Sequence, residues 1–372
     1  MDDSEGRVIR VGIVGLSASG GWAARSHLPA LAASDRYRLD GVAASTTESA
    51  RRAADAYDIP RSFGSIEELA NADEIDLVVI AVKVPHHAEL VGPVMRAGKS
   101  VLCEWPLAPT ADGAGELADE ARRRGIHTAV GLQARSDPSI RYIRELVERG
   151  AIGTVLSTSV IASGMSWGDL TDTRSSYLRD SRNGATMLSI PFAHTVDALQ
   201  HCLGPFSTLS ALEALRVEQA TNRDDHSIVR ATAPDQLVVH GLLRDGAVVS
   251  IHFRGGRSAG TNFLWQIDGS DGVLVIEGPT GHLQHGNVTI RGAIDGASAL
   301  AEIPVPALLD LAPEFPREDP AHAVANAYER LYSDLASAEA TVPGFDDAVR
   351  LHRFLETISD SAQSGARTMI RR

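Results

Sequence analysis

The first half of the chain alternates short apolar runs with polar, helix-patterned stretches. Val8 to Val14 is mostly apolar and leads into a glycine-bearing turn, and a helix is predicted to start near Gly21-Trp22. A second apolar run, Leu39 to Ala44, precedes the polar turn Ser45-Thr46-Thr47 and a predicted helix over Glu48 to Tyr57. Asp76 to Val82 is almost continuously β-branched, the pattern of a strand buried on both faces of a parallel sheet. Predicted helices over His87 to Ala97 and Ala111 to Arg124, and strands over Ser100 to Cys103 and His127 to Gly131, continue the rhythm. It predicts an α/β, doubly wound parallel sheet of the Rossmann type, with ligands at the carboxyl ends of its strands.

From about Gly153 the helical pattern thins. Leu237 to Leu243 and Ala247 to Phe253 flank Arg244-Asp245-Gly246, and Phe263 to Asp268 and Val273 to Glu277 flank Gly269-Ser270-Asp271-Gly272. Both read as hairpins. A helix over Phe192 to Leu203 interrupts this region, and helices near Ala321 to Ala336 and Asp346 to Asp360 finish the chain. The expected organisation is a dinucleotide-binding domain over 1–133 and an α+β substrate and dimerisation domain over 134–372. The latter is built on a large open, mostly antiparallel sheet, and the last helices are free to pack back on the first domain.

Composition narrows the function classes. The 372 residues carry a formal net charge of −13, which argues against nonspecific binding to nucleic acid or anionic membrane. No apolar run is long enough to span a bilayer, and the start Met1-Asp2-Asp3-Ser4-Glu5 does not read as a signal peptide. Two cysteines, Cys103 and Cys202, make no disulfide scaffold; a reduced, cytoplasmic protein is expected.

Gly15-Leu16-Ser17-Ala18-Ser19-Gly20 follows the first strand and fits G-x-G-x-x-G with serine in the second glycine position. The first glycine serves the tight turn, the second the approach of backbone to pyrophosphate, and the helix behind offers N–H groups to phosphate. The end of the second strand reads Ala44-Ser45-Thr46-Thr47, without the acid that meets a ribose 2′-hydroxyl, and Arg51 and Arg52 follow one helical turn on. The missing acid and nearby base favour NADP over NAD, unless the arginines form only a solvated helix face.

These residues resemble the Gfo/Idh/MocA oxidoreductase family over nearly the whole chain. The resemblance rests on Val11-Gly12-Ile13-Val14-Gly15, His27-Leu28-Pro29-Ala30, His87-Ala88-Glu89 before Gly98-Lys99, Arg135 with Pro138, and Gly150-Ala151-Ile152-Gly153. A narrower set resembles the branch of fungal galactose-regulon repressors: Gly21-Trp22, Val82-Lys83-Val84-Pro85, Glu104-Trp105, Gly131-Leu132-Gln133-Ala134-Arg135, Phe253-Arg254-Gly255-Gly256 and Gly344-Phe345-Asp346. The family stretch that ends Glu-Lys-Pro, whose lysine serves hydride transfer, ends here in Glu104-Trp105-Pro106. The resemblance implies nucleotide binding by Gly15, Leu16, Ser17, Ala18, Gly20, Ser45, Thr46, Val82, Lys83, His87, Glu104, Trp105 and Gln133. It also implies a homodimer or larger assembly through the open sheet.

Candidate catalytic groups without that lysine are His194, Asp197 and Lys83. His194 and Asp197 lie three apart and share a helix face, and the family has a similar His-x-x-Asp pair in its substrate pocket. A histidine there takes a hydroxyl proton while hydride leaves the same carbon, and Asp197 orients the ring. Where the family usually has an Asp and a Gly before that histidine, this chain has Ile190 and Phe192. Lys83 replaces the proline of the family's Thr-Pro turn, to contact cofactor or, if buried, to act as a base. Trp105 offers a flat wall at the nicotinamide. Arg135, Trp167 and Tyr177 are candidate substrate residues, each with an ordinary packing or ion-pair alternative. The histidines show no metal-ligand spacing, so no metal is expected.

Three functions fit: an NAD(P)-dependent oxidoreductase acting on a sugar, cyclitol or sugar-like alcohol or ketone; a catalytically silent NAD(P)-binding regulator that binds a protein partner; or an enzyme using retained cofactor for transient redox in elimination or glycoside cleavage.

Overall fold

The computed structural model describes residues 6–337 and 339–370. The start Met1 to Glu5, read above as no signal peptide, lies outside them. The chain divides into two compact units, residues 1–136 with 311–350, and residues 137–310 with 351–372.

The first unit is built on strands β1 (Ile9–Val14), β2 (Tyr37–Ala43), β3 (Ser62–Phe63), β4 (Leu77–Ile80), β5 (Ser100–Cys103) and β6 (Thr128–Val130). Among the described residues they form one parallel sheet in the order β3-β2-β1-β4-β5-β6, the doubly wound order expected. All four residues of β4, Leu-Val-Val-Ile, are buried, because helices cover both faces of the sheet. The connecting helices carry their own signals. Thr46 caps Thr47–Ala56 by accepting the Ser49 N–H, and Thr110 caps Ala111–Arg124 by accepting the Gly113 N–H. Gly125, at φ 63°, ends the latter behind Arg122, Arg123 and Arg124.

The helix after the glycine turn is broken. It runs Trp22–Arg25, breaks at Ser26 and restarts as His27–Ala33. Pro29 has no N–H to give the Arg25 carbonyl, which favours the interruption at Ser26. The core beneath sets Val11, Ile13, Leu77 and Val79 against Leu31 and against Val324, Tyr328 and Leu331 of the late helix Pro320–Ser337. Each such buried aliphatic side chain contributes about 1.5–3 kcal/mol.

The second unit follows as β7 (Val155–Gly164), β8 (Leu170–Thr171), β9 (Phe206–Ala214), β10 (Gln219–Asn222), β11 (Ile228–Arg230), β12 (Gln236–Leu243), β13 (Val248–Gly255), β14 (Phe263–Gly269), β15 (Val273–Gly278), β16 (Thr289–Ala293), β17 (Ala301–Glu302) and β18 (Thr368–Met369). Among the described residues the large sheet has the order β17-β16-β15-β14-β7-β13-β12-β9-β18, antiparallel except between β7 and β13. A small sheet, β11-β10-β8, stands apart from it. On β13, Val249, Ile251 and Phe253 are buried while Val248, Ser250 and His252 are exposed. Phe192, just before the helix Ala193–Leu203, meets Phe253 edge to face at 5.5 Å, so this helix lies on the buried side. Ile161, Leu212 and Val248 remain exposed.

Candidate functional site: a nucleotide cleft and a buried histidine cluster

The strand order reverses at β1 and β4, and a cleft of about 710 Å³ opens at their carboxyl ends. Gly15, Leu16, Ser17, Ala18, Ser45, Val82 and Lys83 line it, together with Ser49, Arg52, His86 and Glu89. Gly15 has φ 99°, and a Cβ there would fall on the Ala81 carbonyl. Glycine is therefore required where the chain leaves β1 beside β4. The turn is held by the Ser17 carbonyl, which accepts the Gly20 N–H at 2.9 Å and the Tyr57 hydroxyl at 2.9 Å. The Ser17 and Ser19 hydroxyls share a 2.9 Å hydrogen bond. The residues fit a dinucleotide, with backbone open to phosphate and small side chains around it.

No carboxylate from the end of β2 lines the cleft. Arg52 does, donating to Glu48 at 2.8 Å and to the Ser49 hydroxyl at 3.3 Å, whereas Arg51 is exposed and outside the lining. Thr46 serves as helix cap. Lys83 is exposed, without the burial on which a general-base role depends.

His87, Glu104, Trp105 and Gln133 do not line the cleft. His87 is buried between two carbonyls, Pro106 at 2.8 Å and Val82 at 3.1 Å, and so ties the segment after β5 to the one after β4. Burial pushes its pKa down. Glu104 accepts from His27 Nε2 at 3.0 Å and Gln133 Nε2 at 2.8 Å. His27 Nδ1 faces the Tyr328 hydroxyl at 2.8 Å. A Cβ on Gly131 would fall on the Glu104 carboxylate. Trp105 is buried and joined to Pro106 by a cis peptide. Arg135 is engaged with Asp347 at 2.9 Å, an ion pair within the first unit.

In the second unit, His194 and Asp197 are both buried on the helix Ala193–Leu203. The Thr195 hydroxyl reaches the Gly281 carbonyl at 3.4 Å, which brings His194 beside His282, a residue the sequence reading did not single out. His282 stacks on Trp167, centroids 6.1 Å apart, and on His285 at 5.4 Å. Gln284 Nε2 donates to His282 Nδ1 at 3.2 Å. Trp167 is fully buried, its indole N–H given to the Leu178 carbonyl at 3.2 Å, so it backs His282. Tyr177 lies half-buried in the same loop, and burial raises its pKa. Burial, with repulsion from His282 and His285, holds His194 well below its usual pKa, and burial with repulsion from His285 brings His282 down to about 3. Both rings are uncharged at neutral pH. The signal that could have found them is the run Gly281-His282-Leu283-Gln284-His285-Gly286, two histidines three apart between glycines.

Among the described residues, no three His, Cys, Asp or Glu side chains are grouped to hold a metal ion, and no helix is long and apolar enough to cross a membrane.

Residues 9–132 match the oxidoreductase family model with NAD-binding Rossmann fold, and residues 138–278 match that of the Gal80p C-terminal domain. Dehydrogenase aclE of Aspergillus oryzae is 34% identical over 73% of this chain and 77% of its own length. The galactose/lactose metabolism regulatory protein GAL80 of Saccharomyces cerevisiae is 30% identical over 76% of this chain and 69% of its own. The crystal structure of a super-repressor mutant of Gal80p from Saccharomyces cerevisiae superposes with a TM-score of 0.87 at 26% identity, covering 97% of this chain and 98% of the other.

Proposed function

Because this chain belongs to the Gfo/Idh/MocA family of NAD-binding oxidoreductases, in its Gal80-like branch, we propose that it is an enzyme that passes hydride between NAD(P) and a sugar, cyclitol or sugar-like alcohol or ketone. The observation that carries this reading is the His194/Asp197 pair, retained on one helix face and buried, with His194 Nδ1 lacking a protein partner among the described residues. Burial keeps the imidazole uncharged, the state a proton acceptor needs. Asp197 lies three residues on, buried on the same helix.

Gly15, Ser17, Ala18, Ser45 and Lys83 would hold the nucleotide, whose nicotinamide supplies hydride exchange. NADP is the proposed preference, supported by the absence of an acid at the end of β2 and by Arg52 in the cleft. The exposed side chains of the large sheet, Ile161, Leu212 and Val248 among them, support pairing with a second copy. Cys103 and Cys202 are both buried thiols, in keeping with a cytoplasmic protein.

A second reading has one observation in its favour. Trp105 occupies the place of the family lysine, so the protein would bind nucleotide and signal to a protein partner. Fluorescence titration with NADPH and NADH, followed by a sugar and cyclitol panel read at the nicotinamide absorbance, separates the two. Turnover establishes the enzyme. Binding without turnover across the panel moves the assignment to the regulator.

A further inference from the structure

Besides Arg179 Nε, the buried polar atoms of the second unit with no protein partner among the described residues include His194 Nδ1, His282 Nε2 and Gln284 Oε1. The residues are 3%, 8% and 6% exposed, so these atoms are closed off from bulk solvent. Leaving such a group unsatisfied is unfavourable, because its hydration is lost with nothing in exchange. They are also neighbours. Gln284 bonds His282 at 3.2 Å, and the Thr195–Gly281 hydrogen bond joins the helix of His194 to the turn that carries them.

The hydrogen bond from Gln284 fixes the chemistry on offer. Its amide nitrogen can only donate, so His282 Nδ1 accepts and the ring proton sits on Nε2. His282 therefore presents a donor and Gln284 Oε1 an acceptor. His194 Nδ1 takes either role, according to its tautomer. Trp167 and His285 both stack on the His282 ring and hold its plane. A buried donor and a buried acceptor on one turn suit hydroxyl groups, which both donate and accept.

The charge balance disfavours anions. Arg179, the buried cation of the neighbouring loop, gives its Nη2 to the Gly168 and Leu170 carbonyls, while its Nε has no partner among the described residues. A carboxylate or phosphate would meet uncharged histidines with Asp197 close by in the helix, and so would lose hydration without gaining a counter-charge.

We infer that His282 and Gln284, with His194, form the recognition site for adjacent hydroxyl groups of an uncharged polyol, and that Gln284 sets the tautomer which makes His282 a donor. The inference deepens the proposed function and rests on its reading of His194 as a substrate residue. It adds two residues that decide which substrates enter: neutral polyols are accepted and their acid forms refused.

The test is a calorimetric titration of the full chain, saturated with NADPH, against myo-inositol, D-glucose and D-glucuronate. It uses wild type, Gln284→Met and His282→Phe, both close to the native side chains in size. The expected result is saturable binding of a neutral polyol, at least about tenfold weaker binding of glucuronate, and about tenfold loss of polyol affinity in each variant with NADPH affinity unchanged. Polyol affinity unchanged in the variants, tighter binding of glucuronate, or no saturable polyol binding overturns the inference. Should a variant fail to fold, histidine ring-nitrogen NMR on the wild type reads the same point. His282 must appear as the Nε2–H tautomer and shift on addition of myo-inositol, and an unmoved resonance overturns it. Polyol binding lost in the variants, with no turnover by wild type, leaves the site and removes the oxidoreductase reading. Turnover by wild type that persists in both variants does the reverse.

Discussion

His27 Nε2 stands 3.0 Å from the Glu104 carboxylate, and the other ring nitrogen faces the Tyr328 hydroxyl at 2.8 Å. The glutamate that opens Glu104-Trp105-Pro106 is thus held from below by a histidine of the broken helix and a tyrosine of the late helix Pro320–Ser337. This contact belongs to the fold itself, and neither Glu104 nor Trp105 is among the residues that line the nucleotide cleft.

Replacing His27 with Leu strands the Tyr328 hydroxyl and takes one donor from Glu104. The expected loss is about 2–3 kcal/mol of unfolding free energy, measured by urea denaturation. A loss below about 0.5 kcal/mol would show that the chain of contacts is dispensable.

Gly15→Ala puts a Cβ at φ 99° and against the Ala81 carbonyl. NADPH affinity should fall at least about tenfold, with a stability loss of about 1 kcal/mol or more. Calorimetric titration with nucleotide checks it, and unchanged affinity would remove the turn from the binding site.

Thr46→Asp keeps a helix cap, since Asp accepts the Ser49 N–H as Thr does. It adds the acid missing at the end of β2. NADPH binding should weaken by about tenfold while NADH binding changes less than about twofold. Equal changes for both would defeat the 2′-phosphate argument.

Stability should fall on mild acidification. The histidine pKa goes from 6.5 to about 3 on burial of His282, and His352 and His194 are depressed in the same sense by burial. Between these limits the unfolded chain binds protons that the folded chain refuses, so stability present above about 6.5 is lost as pH falls toward 3. Each such histidine contributes a slope of about 1.4 kcal/mol per pH unit. Denaturation midpoints from pH 7.5 to 4.5 should drop in wild type and drop less in His282→Phe; a flat profile would contradict the burial of these rings.

The first unit was readable because its main strands were short apolar runs bounded by turn residues, and two of its helices carry clear caps, Thr46 on one and Thr110 with Gly125 on the other. The break at Ser26 was not, since it turns on Pro29 denying one hydrogen bond. In the second unit the hairpins β12–β13 and β14–β15 announced themselves by glycine turns, but β7, between β13 and β14, did not. Its Ser157-Thr158-Ser159 run hides the alternation, and Thr158 is buried because it donates to the Gln266 carbonyl and accepts the Trp265 indole N–H, each at 2.8 Å. The glycine turn and Arg52 of the cleft were legible from motif and position. His282 and Gln284 were not, because their meaning comes from Thr195 and Trp167, more than eighty residues away in sequence.

The first unit draws its core from both ends of the chain, with Val324, Tyr328 and Leu331 lying against Val11, Ile13 and Leu31. A ribosome delivers the glycine turn within the first few per cent of the chain and the helix that seals the sheet beneath it only after residues 137–310 of the second unit have been threaded out. The nascent nucleotide fold therefore waits, half-sealed, through most of its own synthesis. A stop codon placed after residue 310 would release a sheet whose Val11, Ile13 and Leu31 lack the cover of Val324, Tyr328 and Leu331, a substrate for chaperones and proteases before it is a binder of dinucleotide.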